Sequence, residues 1–158
     1  MTPDRDPLQG TDLTFLLGIA FQVVLAEFVG RLDAAGYADL RPVHGLVFQQ
    51  LHGAGLTSTE LAERLGVTKQ AAGQLVTDLE ARGYLRREPH PHGGRWRLIV
   101  LTDKARGHLD VAGRIFHQLE AEFAARMGTE NLDTLRAELA RLIRGVVGDA
   151  VPPLRPTW

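Results

Sequence analysis

The sequence predicts a mainly α-helical fold with one small β-hairpin, and three observations lead to this prediction. Apolar residues recur at helical spacing from Leu13 to Val147. Two short runs rich in β-type residues, at about 85–88 and 96–101, are joined by the turn "PHPHGG". Hydrophobic residues make up 44% of the 158 residues, which is enough for the packed core of one domain or one tightly joined unit.

The first predicted element is an almost entirely apolar helix from Leu13 to Leu32. Apolar residues occupy most of its circumference, so the helix has to be covered on several sides. Because its strongly apolar part, Leu13 to Val29, contains Gln22 and Glu27 and is about as short as a spanning helix can be, we expect a buried helix rather than a transmembrane one. A second subunit is a natural part of its cover.

Start and stop signals define the helices of the central region. A helix is expected at about residues 42–52. In the segment "TSTE", Thr57 can cap the next helix, and Glu60 completes a capping box. After the turn "GV", Thr68 can cap a third helix, which Gly83 ends.

Two further helices are expected after the hairpin, one that reaches about Met127 and one from Asn131 to Val147. The leucine-rich stripe of the last of these helices, at 132–146, and the apolar first helix predict a dimerisation region around a central domain. The predicted parts are a helical dimerisation region at 11–36 and 104–148, a central domain at 40–103, and flexible termini at 1–10 and 149–158.

The charge distribution draws attention to the central domain. The formal net charge is −1, but residues 57–107 carry +3, while residues 1–56 carry −3 and residues 108–158 carry −1. A local basic patch in a nearly neutral protein is the electrostatic footprint of a DNA-binding module. Cysteine is absent, which excludes disulfides and thiolate metal sites. The N-terminal segment lacks the pattern of a secretory signal, and we expect a cytoplasmic protein with no membrane partner.

A capped helix, a tight turn, a second helix and a basic hairpin, in this order, predict a winged helix-turn-helix. The second helix of such a unit enters the DNA major groove, and its N-terminal half here carries Lys69, Gln70 and Gln74. Lys suits guanine and Gln suits adenine, whereas hydroxyls at helix N-termini can hold phosphates. The alternative is a merely solvated helix face. The predicted DNA-binding residues are Thr57, Ser58, Thr68, Lys69, Gln70, Gly73, Gln74, Thr77, Arg95 and Arg97.

The segments "ELAERLGVTKQAAGQLVTDLEARGYL" and "GRWRLIVLTDKARGHL" resemble the winged helix-turn-helix of the multiple antibiotic resistance regulator (MarR) family. The flanking helices are similar to the dimerisation region of the family, so the resemblance covers about residues 11–148. It implies a homodimeric transcription factor, usually a repressor, that binds a near-palindromic operator in double-stranded DNA. It also implies a small aromatic or anionic effector.

The wing departs from the pattern of the family, which commonly reads Pro-Asp-Pro-x-Asp-x-Arg. Here His90 and Gly93 replace the two aspartates, while Arg95 remains. In the family this arginine enters the minor groove and the aspartate steadies it, so we expect Arg95 to be less pre-organised. Ala105 replaces the usual glycine after "LTDK", which should favour the helix. Trp96 is expected to pack at the base of the wing.

The other candidate sites are weaker. Tyr37, His44 and Phe48 are the candidate effector contacts, although His44 can equally be a histidine at the edge of the core or in a dimer contact. Arg31, Arg41 and Arg87 could each pair with an anion. His90 and His92 lie two residues apart, but two ligands do not form a metal site, so neither a metal nor a cofactor is expected. No catalytic motif is present, and the alternative function is a winged-helix protein-interaction module without an operator.

Overall fold

The computed structural model describes residues 6–152 and 154, and within them the fold is mainly α-helical with a two-stranded antiparallel wing, as predicted. An irregular turn at Asp33–Tyr37 separates the first two helices. Of the predicted flexible termini, residues 1–5, 153 and 155–158 lie outside the described residues. The elements are α1 (Leu13–Leu32), α2 (Pro42–Gln50), α3 (Ser58–Leu65), α4 (Lys69–Ala81), β1 (Leu85–Pro89), β2 (Arg97–Leu101), α5 (Asp103–Met127) and α6 (Thr129–Val147).

The helix-turn-helix formed by α3 and α4 begins and ends at the residues that the sequence indicates. Thr57 accepts a hydrogen bond from the backbone N–H of Glu60 (3.3 Å), whose carboxylate accepts from the backbone N–H of Thr57 (2.8 Å). Gly66, with φ of 65°, closes α3 in the left-handed region. Thr68 then caps α4 by accepting from the N–H of Ala71 (3.1 Å). The predicted capping box is therefore confirmed.

The wing is a hairpin in which Leu85 lies opposite Leu101 and Pro89 lies opposite Arg97. Its second strand is also joined to the loop before α3, because Leu56 and Ile99 exchange both backbone hydrogen bonds (3.1 and 2.7 Å). This pairing fixes the wing relative to the helix-turn-helix.

Two clusters of buried side chains hold the chain together. The larger one lies inside the winged helix-turn-helix, where α2, α3, α4 and both strands meet. The smaller one joins α1 to α5 through Leu32, Ala112, Ile115 and Leu119. Arg31 reinforces that second contact by donating two hydrogen bonds to the carboxylate of Glu122 (2.9 and 2.8 Å).

The expectation that α1 is buried is wrong for the single chain. Leu32 alone among its described residues is buried, whereas Phe15 and Val23 are 67% and 63% exposed. The reason is that α1 packs mainly on one side, against α5, and the other described elements leave its remaining surface open. The segment Leu13–Tyr37 is long and apolar enough to cross a membrane, by length and composition. Helix α6 is similarly open, with Val146 78% exposed.

Candidate nucleic-acid interface

Helix α4 turns a polar face to solvent because its apolar residues are held on the opposite side. Ala72, Val76 and Leu79 are buried at a spacing of three to four residues. Lys69, Gln70, Gln74 and Thr77 are exposed. Their side chains form no hydrogen bond with any other described residue. These donors and acceptors are thus free to bind another molecule.

A shallow groove runs beside this face, and the sequence had predicted most of its lining. Gly73 is among its lining residues, and an added Cβ there would meet no heavy atom within 4 Å outside its own helix. The backbone of α4 is therefore open to close approach at this position. The residues that line the groove are Ser58, Gln70, Gly73, Gln74, Thr77, Asp78 and Arg87.

The predicted hydroxyl contacts are partly occupied by the protein itself. Thr57 and Thr68 accept the N-cap hydrogen bonds of α3 and α4, and Thr57 also donates its hydroxyl proton to Glu60 (2.8 Å). The backbone hydrogen bond from Thr57 lowers the pKa of Glu60, so a carboxylate stands at the start of α3. A phosphate at the start of α3 would be repelled by that charge. Of the three residues, Thr68 is exposed, whereas the partly exposed Ser58 is the one whose hydroxyl forms no hydrogen bond within the described residues.

Two arginines of the basic patch are paired with carboxylates, whereas the arginines near the tip of the wing are not. Arg86 pairs with Glu88 (2.6 Å), and Arg87 pairs with Glu80 (3.1 Å). Among the described residues, no carboxylate lies within ion-pair distance of Arg95 or of Arg97, two residues further along the chain. The free positive charge of the hairpin is therefore concentrated around its tip.

Trp96 does not pack at the base of the wing, which corrects the prediction. Its side chain is 65% exposed, because the buried part of β2 begins only at Ile99, after the partly buried Leu98. Nearby, His90 accepts a hydrogen bond from the N–H of His92 (3.2 Å), and the two rings are 5.3 Å apart. Within residues 6–152 and 154, no group of three or more potential metal ligands lies together.

His44 is buried in the core of its own chain, so it cannot act as a dimer contact. Its Nδ1 accepts a hydrogen bond from the N–H of Arg41 (3.0 Å), which directs Nε2 to within 3.7 Å of Asp78 on α4. Neither Nε2 nor the facing Oδ2 of Asp78 has a hydrogen-bond partner in the described structure. Burial, followed by the charges of Arg41 and Arg82, lowers the pKa of His44. The residue connects α2 to the recognition helix.

A cavity of about 210 Å³ lies between α1, α2 and α5. Tyr37 lines it, but the other two candidate effector contacts, His44 and Phe48, do not: both are fully buried in the neighbouring core. His108 of α5 is part of the cavity wall and has an unpaired Nδ1, and burial lowers its pKa. The sequence signal for His108 was a histidine within the apolar stripe of α5, a pattern that does not distinguish a core residue from a ligand contact.

The arginines proposed as anion partners differ in availability. Arg31 is paired with Glu122 and Glu27, and these hydrogen bonds raise its pKa. Arg87 is paired with Glu80. Arg41 is exposed, lies at the cavity and has no carboxylate within ion-pair distance among the described residues. Arg41 is therefore the cation that remains available there.

These elements define a winged-helix protein with an exposed recognition helix and a basic wing. Residues 38–95 match the model of the MarR family, and this segment contains the helix-turn-helix and the first strand of the wing. The resemblance found in the sequence is confirmed. Over 73 residues, or 46% of this chain, the sequence is 37% identical to the LexA repressor of Deinococcus radiodurans, and this match spans 33% of the length of that relative.

Solved structures of the same fold cover nearly the whole described chain. A mutant of MepR from S. aureus aligns with a TM-score of 0.72 and 17% identity, over 86% of this chain and 99% of MepR. A complex of MepR with DNA aligns at 0.66 and 18%, over 86% and 98%. The transcriptional regulator Tm0710 of Thermotoga maritima aligns at 0.60 and 27%, over 85% and 92%. The helices that flank the winged domain thus belong to the shared fold.

Proposed function

We propose that this chain is a transcriptional repressor that binds a near-palindromic operator in double-stranded DNA as a homodimer. The observation that carries the proposal is the exposed face of α4, where Lys69, Gln70 and Gln74 have no partner among the described residues. Such side chains at the start of a recognition helix match the donors and acceptors of base edges in the major groove. The MepR structure in complex with DNA has the same fold and supports this assignment.

The homodimer is supported by the apolar surfaces that the single chain leaves open. Large apolar side chains are exposed on both helices: Phe15 and Val23 on α1, and Ile143 and Val146 on α6. Exposed apolar patches of this kind mark surfaces that another molecule covers. A two-fold dimer through residues 11–36 and 104–148 covers such faces symmetrically. It also presents two copies of the DNA-binding domain at 40–103 to the two halves of a palindrome.

Regulation by a small aromatic or anionic effector is supported by the cavity between α1, α2 and α5. Its volume of about 210 Å³ suits a small molecule, and its lining is mostly apolar. Tyr37 and His108 offer hydrogen-bonding groups, and Arg41 offers a positive charge. The cavity borders α2, whose His44 faces Asp78 of the recognition helix, so a ligand there can alter the position of α4.

A cytoplasmic regulator also accounts for the apolar α1 without a membrane, because a second copy would cover it. The competing function is a winged-helix module that binds proteins and has no operator. The unpaired Arg95 and Arg97 favour DNA over that alternative, because phosphates attract uncompensated cations. We propose no enzymatic activity, since the polar groups of the interface suit binding rather than catalysis.

The experiment that tests the proposal measures binding to labelled duplexes taken from both sides of the gene that encodes this protein. Fluorescence anisotropy at several salt concentrations gives the affinity and its salt slope, with random-sequence duplex as the control. The proposal predicts one preferred duplex and a steep slope, since each neutralised phosphate contributes about −0.9 to it. Equal and weak binding of all duplexes would favour the protein-interaction module.

A further inference from the structure

We propose that Trp96 is a direct DNA contact of the wing, with its indole packed against the deoxyribose edges of the minor groove beside Arg95. This inference rests on the proposed function and adds an apolar, shape-reading contact to it. A contact of this kind depends on the fit of the groove and releases no counterions, unlike the contacts of the neighbouring arginines.

The exposure of Trp96 is unusual for its domain. Residues 38–103 are all described, and Trp96 is the one large hydrophobic side chain among them that is exposed, at 65%. The other exposed large hydrophobic residues of the described chain lie on α1, α5 and α6 or near the two ends of the chain. The winged domain thus buries its other large apolar side chains at least partly and presents this indole to solvent. An indole combines a large apolar area with one donor and is enriched at binding surfaces.

The surroundings of the indole suit DNA rather than another apolar surface. Trp96 lies between Arg95 and Arg97, neither of which has a carboxylate partner among the described residues. Gly93 and Gly94, with φ of 73° and 86°, precede them, and an added Cβ on Gly94 would be 3.8 Å from the indole Cδ1. The two positions before Arg95 therefore carry no side chains, and on this side a polyanion can approach the indole closely while the two cations bind its phosphates.

The indole N–H should make this contact depend on the base composition of the groove. In the described structure it donates to no acceptor. In the minor groove, A·T pairs present only acceptors, whereas G·C pairs add the N2 amino donor of guanine. A donor-only side chain such as tryptophan is accordingly compatible with A·T pairs and disfavoured at G·C pairs. We therefore expect the contribution of Trp96 to be larger at A·T-rich flanks.

The first test uses the fluorescence of the residue itself. The sequence has two tryptophans, so Trp158→Phe makes Trp96 the sole tryptophan of the full chain. A duplex selected by the protein from a random-sequence pool carries a fluorescent label, and anisotropy reports its binding independently of the tryptophan. The inference predicts that Trp96 emission shifts to the blue and becomes protected from acrylamide, with the same midpoint as the anisotropy.

The outcomes separate the inference from the function on which it rests. Binding by anisotropy without any change in emission or in acrylamide access would overturn the contact and leave the DNA-binding function standing. Protection from acrylamide already in the free protein would place Trp96 between copies of the chain and also overturn the contact. A protein that selects no duplex at all would overturn the proposed function.

The second test compares matched substitutions on the wing. Trp96→Ala should weaken binding by about tenfold, because the buried indole area is lost, while the salt slope stays the same. Arg95→Ala should instead lower the salt slope by about one. Trp96→Phe should restore part of the affinity. An unchanged affinity in Trp96→Ala, or a loss with the slope change of the arginine variant, would contradict an apolar contact. Circular dichroism and thermal unfolding confirm that each variant is folded.

Discussion

At the scale of single residues, Gln74 is the strongest candidate for base recognition. It lies one turn after Gln70 on the exposed face of α4, and its amide is free. Gln74→Ala should reduce the preference at one or two operator positions by about 1–3 kcal/mol, because a bidentate contact to adenine is lost. Competition binding with single-base operator variants measures this preference. Lys69→Ala distinguishes the two possible contacts of Lys69: it should change the preference at one position if Lys69 contacts a base, and weaken binding to all sequences alike if Lys69 contacts phosphate. An unchanged motif and affinity in Gln74→Ala would show that α4 is oriented differently on DNA.

Arg95 should make a contact that depends on groove shape. A narrow, A·T-rich minor groove has an enhanced negative potential, which attracts an inserted arginine. No carboxylate among the described residues orients Arg95, so its insertion costs side-chain entropy. We expect Arg95→Ala to weaken binding most at operators with A·T-rich flanks, as measured by titration against operators with A·T-rich and G·C-rich flanks. Equal losses of affinity at both operators would show that Arg95 contributes only a diffuse electrostatic attraction to DNA.

The buried histidines should make the folded state sensitive to acid. The pKa values of His44 and His108 are both lowered, chiefly by burial, from an ordinary value of 6.5. The folded protein then binds fewer protons than the unfolded chain, so the free energy of unfolding is greatest above pH 6.5 and falls as the pH drops below it. Urea unfolding at pH 7.5 and pH 5.5, roughly one unit on either side of the ordinary histidine pKa, measures this fall.

The matched variant is His108→Phe, which keeps an aromatic ring between Tyr37 and Phe48 and removes the titrating group. It should lose less stability between the two pH values than the wild type does. The same pH dependence in both proteins would show that His108 does not contribute to the acid sensitivity.

At the scale of elements, the recognition helix combines good local start signals with one residue that weakens it. Gly73 lies inside α4, has no positive φ, and would accommodate a methyl group without a clash. Gly73→Ala should therefore raise the free energy of unfolding by about 0.5–1 kcal/mol. The same methyl group should hinder DNA from approaching the groove and weaken operator binding. Urea unfolding measures the first effect, and anisotropy of labelled operator measures the second. A variant that is more stable and binds the operator as tightly as the wild type would show that Gly73 does not lie at the DNA interface.

The elements also show what the sequence could predict. Thr57, Glu60 and Thr68 act through neighbours three residues away, so local pattern was sufficient to find the caps of α3 and α4. The position of His44 depended on α4, which lies more than twenty residues further along the chain, and no local spacing encodes that contact. The cavity likewise forms only where α1, α2 and α5 meet. Tyr37 lies in the turn between α1 and α2 and was predicted, whereas His108 lies far along the chain on α5 and was missed.

At the scale of the whole molecule, the open apolar surfaces of α1 and α6 support the proposed homodimer. The sequence indicated that α1 needs a cover, but its exposure in the single chain shows that the cover does not come from the described residues of the same chain. Apolar periodicity reports that a face is buried and gives no information about which chain buries it.

A charge on this surface should separate the subunits. Val146 is 78% exposed in the single chain, so Val146→Asp should leave the fold of one subunit intact and weaken the dimer. Ala137→Asp adds the same charge at an exposed position on the other side of α6 and serves as the control. Sedimentation at micromolar concentration should find dimers for the wild type and the control and smaller species for Val146→Asp. A wild type that is a stable monomer would contradict the proposed assembly.

The most direct test of the account is the selection of DNA fragments from a genomic or random pool by the wild-type protein, followed by sequencing. A dimer with two exposed recognition helices should enrich an inverted repeat whose half-sites are about one helical turn, roughly 10 base pairs, apart. Failure to enrich any sequence above the input pool at physiological salt would contradict the central claim that this chain reads DNA.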